Sequence, residues 1–169
     1  YFSALVSDVT ERKRAEEELR TLERAVESSS SAVVITDVNG NIEYVNPQFT
    51  ETTGYAKEEV VGKNPRFQQS GETPDVVYVE MWEKLLTDGE WRGEFHNKKK
   101  DGTPYWSRAT ISCVKDIKGD ITHFIGVQDD VTREYELTER LSYQARHDTL
   151  TGLVNRREFE RRAERLFGV

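Results

Sequence analysis

The sequence has few of the residues that build metal sites or disulfides. Cys113 is the only cysteine, so the chain cannot form an internal disulfide or a thiolate metal cluster. The three histidines, His96, His123 and His147, stand far apart, with no i, i+4 pair and no carboxylate at a spacing typical of metal ligands. We therefore expect no metal site.

Long apolar runs and excess positive charge are also missing. No run approaches the roughly 20 apolar residues that a helix needs to cross a bilayer, and no signal peptide opens the chain. The net charge is −7, from 24 Lys and Arg against 31 Asp and Glu. Because phosphates repel an acidic surface, we expect no binding of nucleic acid and no membrane contact by this segment. These absences predict a cytoplasmic segment and leave open a membrane anchor upstream in a longer parent protein.

What is present fits one domain with extra helices. The chain has 169 residues, of which 36% are apolar and 33% charged. A single domain usually takes about 100–150 residues. The polar balance indicates that part of the chain is solvated helix outside the core.

Two ten-residue segments resemble each other. Residues 1–10 read YFSALVSDVT and residues 123–132 read HFIGVQDDVT, at an offset of 122 residues, and a charged helix-favouring run follows each copy. We interpret residues 1–10 as the last strand of a preceding module and the later copy as the last strand of a complete module of the same kind. Coincidence within a short window is the alternative.

Residues 11–26 are predicted to form a coiled-coil signalling helix. Its apolar residues recur at spacings of 4, 3 and 4, which is an a/d seam on an otherwise charged helix: Ala15, Leu19, Leu22 and Val26. Such a seam predicts a parallel homodimer, whereas packing onto its own domain is the alternative. A weaker stripe at Leu137, Leu141 and Ala145 predicts a linker helix over residues 133–147.

The centre of the chain has a mixed pattern of strands and helices. Apolar strands are predicted at residues 31–37, 41–45, 91–97, 103–114 and 121–129, joined by turns such as Asn39-Gly40 and Asp101-Gly102. Short helices are predicted at 47–53 and 57–60, and a longer one after Thr73-Pro74. This order predicts an α+β fold in which a five-stranded antiparallel sheet carries helices on one face.

At this point the residues match a known family. The phrase ITDVNGNIEYVNPQFTETTGY, residues 35–55, and the closing HFIGVQDDVT resemble a PAS domain. The resemblance implies the PAS fold over residues 27–132, with a signalling helix at each end, and a sensory role.

One segment resembles the flavin-binding branch of that family. GKNPRFQQ, residues 62–69, is similar to the light-oxygen-voltage motif, with Pro65 where those proteins carry a photochemical cysteine. The resemblance implies bound FAD or FMN that responds to reduction, held by five residues: Asn64, Arg66, Gln69, Asn97 and Gln128. Ser107 replaces a further asparagine of the motif. The alternatives are an unknown ligand or a vacant pocket, in which case Asn64 caps a turn and Arg66 and Gln69 lie at the surface.

The tail resembles a second family. RHDTLTGLVNRREF, residues 146–159, is similar to the opening of GGDEF diguanylate cyclase domains. It implies that residues 148–169 are the truncated start of such a domain, which would be the downstream partner in the same chain. The catalytic acids of that family lie further on, so we expect no enzyme activity from this chain.

Together these patterns predict a sensory and dimerisation module. It would pass a small-molecule, redox or light signal through helical linkers to a diguanylate cyclase in cyclic di-GMP signalling. A ligand-free dimerisation spacer between signalling domains is the alternative function.

Overall fold

The structure is a computed structural model that describes residues 2–147 and 153–167. It divides into two compact units, one ending at Asp130 and the other beginning at Val131. The first unit contains the following elements: α1 (Phe2–Glu27), β1 (Ala32–Asp37), β2 (Ile42–Val45), α2 (Pro47–Thr53), α3 (Lys57–Val60), a 3₁₀ turn (Pro65–Gln68), α4 (Asp75–Thr87), β3 (Glu90–Lys98), β4 (Pro104–Lys115) and β5 (Ile121–Asp130). The second contains α5 (Thr132–Arg146) and α6 (Arg156–Phe167).

The five strands form one antiparallel sheet in the order β2-β1-β5-β4-β3. Successive side chains of a strand point to opposite faces, so every second residue faces the helices. Along β4 the alternation is visible as buried Tyr105, Ser107 and Ala109. The predicted α+β fold with a five-stranded antiparallel sheet is confirmed.

Two apolar clusters cover the inner face of the sheet. One joins β1 and β2 to α2 and α3 around Phe49, which has no exposed surface. The other joins α4 to β3, β4 and β5 around Leu85, Trp91 and Phe124. Burying an aromatic side chain of this size stabilises the fold by about 1.5–3 kcal/mol. The space between the two clusters is where a cavity opens.

Asn46 connects α1 to the sheet. Its side-chain oxygen accepts hydrogen bonds from the backbone N–H of Val33 (2.8 Å) and of Phe49 (3.1 Å), so it caps α2. Its amide nitrogen donates to the carbonyl oxygens of Val26 (3.1 Å) and Ser31 (3.0 Å). One buried amide therefore holds the end of α1, the start of β1 and the start of α2 together.

The strand expected within residues 1–10 is not found, because α1 begins at Phe2. A strand must pair its backbone with a neighbouring strand, whereas a helix pairs its own N–H and C=O groups. No described strand pairs with residues 2–10, and the charged helix of residues 11–26 extends back through them. The assignment of residues 1–10 to a preceding module stays a prediction.

The start of α4 also differs in detail from the prediction. The helix begins at Asp75, and Pro74 occupies the capping position without a side-chain hydrogen bond. Thr73 instead accepts a hydrogen bond from the backbone N–H of His96 (2.8 Å) through its hydroxyl oxygen. The threonine therefore ties the segment before α4 to the sheet edge.

In the second unit, Asn155 caps α6. Its side-chain oxygen accepts from the backbone N–H of Glu158 (2.9 Å), and its amide nitrogen donates to the carbonyl of Ala145 (2.7 Å). Residues 148–152 of the cyclase-like motif lie outside the described residues. None of the described helices combines the length and the apolar character needed to cross a membrane.

Candidate functional site

A cavity of about 390 Å³ lies between α4 and the inner face of the sheet. Small-molecule sites usually measure roughly 300–1,000 Å³, so a compact ligand fits this volume. Its walls come from α4, the sheet and the segment around the 3₁₀ turn. The lining residues that the site argument uses are Asn64, Pro65, Arg66, Gln68, Gln69, Asp75, Tyr78, Trp82, Asn97, Gly126 and Gln128.

The apolar wall is built from paired aromatic rings. Tyr78 of α4 stacks on Phe95 of β3, with ring centroids 5.4 Å apart and planes at 12°. Trp82 of α4 meets Phe124 of β5 edge-on, with centroids 5.4 Å apart. Such pairs add about 0.5–1.5 kcal/mol beyond the area they bury and fix the rings. The wall therefore offers flat, rigid surfaces to a planar ligand.

All five predicted site residues line this one cavity. They come from three separate parts of the chain: the segment from Asn64 to Gln69, the end of β3 at Asn97, and β5 at Gln128. An isolated bridge between Gln69 and Asn97 holds the first two parts together. Asn97 is buried, Gln69 and Gln128 are half-buried, and Arg66 is exposed.

Asn64 also has a local structural role. Its side-chain oxygen accepts from the backbone N–H and from Nε of Arg66, both at 3.2 Å, which caps the 3₁₀ turn. Gly40 has φ of 78°, and a Cβ atom there would lie 2.8 Å from the Asn64 amide nitrogen. Glycine at this turn therefore leaves room for the asparagine side chain.

Two residues that the sequence did not single out, Gln68 and Tyr105, form a buried polar pair at the cavity. Gln68 lines the cavity with 2% of its surface exposed, and its Oε1 accepts a hydrogen bond from the Tyr105 hydroxyl (3.1 Å). Ser107, fully buried, donates to Oε1 of Gln128 at 3.4 Å. The doubled glutamine in RFQQ was the available signal for Gln68, while Tyr105 needed the strand register. Ser107 had been identified from the resemblance as the position of a further asparagine, but its bond to Gln128 had not.

Burial controls the ionisation of the tyrosine. It raises the pKa of Tyr105 to about 12, although a side-chain hydrogen bond with Asn97 opposes this by lowering the pKa. The phenol therefore keeps its proton and stays a hydrogen-bond donor throughout the physiological pH range.

The lone thiol is not part of the cavity wall. Pro65 lines the cavity at the start of the 3₁₀ turn, whereas Cys113 lies on β4 and donates through Sγ to the carbonyl oxygen of Leu85 (3.1 Å). Burial raises the pKa of the Cys113 thiol, which disfavours the nucleophilic thiolate.

Arg66 and Asp75, both exposed, bring one positive and one negative charge to the cavity lining.

The family model described as "PAS domain" matches residues 30–133. This match covers every strand of the sheet and all residues of the cavity.

Known proteins of regulatory and photosensory type are similar to this chain. A nitrogen fixation regulatory protein of Klebsiella oxytoca is 38% identical over 116 residues, covering 69% of this chain and 23% of that protein. A blue-light-activated histidine kinase 1 of Erythrobacter litoralis is 32% identical over 130 residues, covering 68% of this chain and 36% of that protein. The chain thus spans well under half of these relatives.

A solved structure titled "Flavin Analogue Sheds Light on Light-Oxygen-Voltage Domain Mechanism" superposes with a TM-score of 0.60. It is 30% identical, and the match covers 74% of this chain and 95% of that one. The likeness therefore extends over nearly the whole of that chain.

Proposed function

The chain belongs to the PAS domain family, in its light-oxygen-voltage-like type, and from that premise we propose that it is a sensor module that holds FMN or FAD in its cavity. The observation that carries the proposal is the convergence of the five predicted polar residues on one cavity. A flavin bound there would supply a redox-active, light-absorbing ring.

The chemistry of the lining residues fits this ligand. Asn97, Gln128 and Gln69 are amides that both donate and accept hydrogen bonds, which suits the alternating polar edge of a flavin and its ribityl hydroxyls. Exposed Arg66 suits a phosphate at the mouth of the cavity. The rigid pairs of Tyr78 with Phe95 and of Trp82 with Phe124 suit the flat ring.

Reduction is the signal that these residues favour. Pro65 has no side-chain group that can form a covalent bond with a flavin. Cys113 is not part of the cavity wall, and its thiol donates a hydrogen bond to the Leu85 carbonyl. We propose that light-driven thiol addition is therefore absent and that the module responds to the redox state of its ligand.

The signal would leave the domain through its helices. Asn46 bonds to the last turn of α1, and the Tyr44 hydroxyl donates to Glu27 of the same helix at 2.7 Å. A shift of β1 or β2 thus acts on α1 directly. The cyclase-like motif of the tail supports a diguanylate cyclase as the output domain of the parent protein. The redox state of the ligand would regulate this cyclase by shifting the equilibrium between two arrangements of the helices.

A ligand-free spacer is the second candidate, favoured by the cap that Asn64 already forms with Arg66. Titration of the purified protein with FMN and with riboflavin distinguishes the sensor from the spacer. Binding is monitored through the loss of flavin fluorescence. We expect micromolar binding or tighter to the wild type. Gln128→Leu should weaken both flavins about tenfold, since it removes a half-buried hydrogen-bonding amide from the cavity wall.

Arg66→Gln should weaken FMN about tenfold and leave riboflavin unchanged, because only FMN carries the phosphate. Arg92→Gln is the matched control, since Arg92 is an exposed arginine that pairs with Glu90 and is not part of the cavity wall. A wild type that binds neither flavin would refute the sensor proposal and favour the spacer.

A further inference from the structure

Residues 70–73, here called the strap, run along the edge of the sheet beside the cavity. β3 is the last strand in the order of the described sheet, so its outer edge has no neighbouring strand there. Gln69 precedes the strap and Asp75 follows it closely, and both residues line the cavity. Since Asp75 is also exposed, the cavity reaches solvent next to the strap. A ligand that passes between the start of α4 and β3 therefore has to displace the strap.

The strap is fastened to β3 at His96. The backbone N–H of His96 donates to the Thr73 hydroxyl oxygen (2.8 Å), and its carbonyl oxygen accepts from the Ser70 hydroxyl (2.6 Å). The ring nitrogen Nδ1 lies 2.9 Å from Oγ of Ser70 and 3.2 Å from Oε2 of Glu72. The backbone and the side chain of one residue thus hold Ser70, Glu72 and Thr73.

The hydrogen-bond partners of the imidazole determine where its protons lie. The Ser70 hydroxyl has one hydrogen, which it donates to the His96 carbonyl, so its oxygen is an acceptor toward the ring. The Glu72 carboxylate can only accept. Nδ1 therefore carries a hydrogen that faces both oxygens, and Nε2 is the nitrogen that gains or loses a proton. Histidine ordinarily changes charge between about pH 5 and 8, where carboxylates are ionised.

Glu72 is the charged side chain in contact with the ring. β4 packs against the ring through the neutral Trp106, whose indole meets the imidazole edge-on with centroids 4.8 Å apart. On the same face of β3, Glu94 is paired with Arg108 of β4 at 3.0 Å, and Lys98 is exposed. A positive charge on the imidazole therefore acts chiefly on Glu72, and their attraction tightens the strap.

We propose that His96 is a proton-controlled latch on the strap, and that the strap governs how fast the cavity exchanges its ligand. When the ring is protonated, an ion pair with Glu72 adds to the hydrogen bonds; when the ring is neutral, the ion pair is lost and the strap opens more often. The inference rests on the proposed flavin site and adds a control of that site by pH. Because Glu72 is 73% exposed, water screens the pair, and the expected change is about twofold to fivefold.

The first test needs no ligand and uses the exchange of backbone amide hydrogens, measured by NMR. The His96 amide is a direct probe, because its N–H donates to Thr73 of the strap. After correction for the intrinsic exchange rate, its protection should be about twofold to fivefold greater at about pH 5.5 than at about pH 8. Glu72→Gln should remove this difference, since it removes the negative charge. Ser70→Ala should lower the protection at both pH values.

The second test measures the release of riboflavin, which has no phosphate to titrate in the same pH range. Release is followed after dilution through the return of flavin fluorescence. The wild type should release riboflavin about twofold to fivefold more slowly at about pH 5.5 than at about pH 8. Glu72→Gln and His96→Gln should release it at rates that do not differ between the two pH values.

Glu43→Gln is the matched control. Glu43 pairs with His123 at 3.2 Å, which is another histidine–glutamate pair, and neither residue is part of the cavity wall. This variant should keep the pH dependence of the wild type in both measurements.

Three results would count against the account. Equal protection of the wild-type His96 amide at both pH values, or a Glu72→Gln variant that keeps the difference, would overturn the latch. Protection that changes with pH while riboflavin release does not would show that the ligand passes elsewhere, which overturns the role of the strap. If the wild type binds no riboflavin, the proposed function fails, and the protection of the His96 amide still decides whether the latch exists.

Discussion

Pro65 stands where the resemblance to light-oxygen-voltage domains implies a photochemical cysteine. It lines the cavity and starts the 3₁₀ turn, where its ring fixes φ and its missing N–H costs nothing because a first-turn N–H has no partner in the turn. A proline therefore suits the local backbone here and offers no thiol to the cavity. The 3₁₀ turn in the segment from Asn64 to Gln69 thus forms without a cysteine.

Tyr105 gives a prediction about stability at alkaline pH. Its pKa is raised from the ordinary 10.0 to about 12, chiefly by burial, so the folded state keeps a proton that the unfolded chain loses. The stabilisation is full below pH 10 and is lost as the pH rises through about 12. Urea unfolding at about pH 8 and about pH 11 should show a smaller loss of unfolding free energy in Tyr105→Phe than in the wild type.

Tyr44 provides the comparison, since its pKa is also raised to about 12, by burial and by its bond to Glu27. Tyr44→Phe should also reduce the loss of unfolding free energy at alkaline pH, and the two substitutions together should reduce it further. Equal losses in the wild type and in Tyr105→Phe would show that the phenol ionises as freely in the folded protein as in the unfolded chain.

The sequence predicted part of the cavity and missed the rest for a physical reason. Asn64, Arg66 and Gln69 stand in one short motif, and the same resemblance extends to Asn97 and Gln128 on later strands, so all five were found without the structure. Gln68 and Tyr105 meet across 37 residues. Their contact depends on the register of β4 against β3 and on a 3₁₀ turn that turns Gln68 inward, and neither is encoded in a local pattern.

At the scale of elements, strands were easier to predict than the start of the chain. The apolar run at residues 31–37 and the turn at Asn39-Gly40 placed β1 and β2 correctly, since both signals are local. Residues 2–10 have apolar content that suits either strand or helix. Their state is decided by whether a partner strand is available, which a short repeat does not reveal.

The exposed seam of α1 supports our proposal of a parallel homodimer. Leu19 is 68% exposed and Leu22 is 65% exposed in the single chain, so neither packs on its own domain. Two Leu→Glu substitutions, L19E with L22E, would place charges in the apolar seam of the dimer at a cost of several kcal/mol. Light scattering at micromolar concentration should show a dimeric wild type and a monomeric double variant.

The control for that experiment is R20E with R24E, which adds acidic residues to the same helix outside the seam. This variant should remain dimeric, because its new charges stay in solvent. A monomeric wild type would refute the dimer, and a dimeric L19E/L22E variant would place the interface elsewhere.

At the scale of the whole molecule, the domain resembles an input module placed between helices. The family match spans residues 30–133, which leaves α1 and nearly all of the second unit outside the matched domain. Within the described residues no group of three or more metal-ligating side chains gathers. The central claim about this chain is that its cavity holds a flavin.

The absorption spectrum of the purified protein, recorded after incubation with FMN or FAD and removal of the excess, tests that claim most directly. We predict a yellow protein with a blue absorption band that bleaches with dithionite, returns in air, and gives no thiol-adduct spectrum under blue light because Pro65 replaces the cysteine. A protein that stays colourless with both flavins would contradict the account.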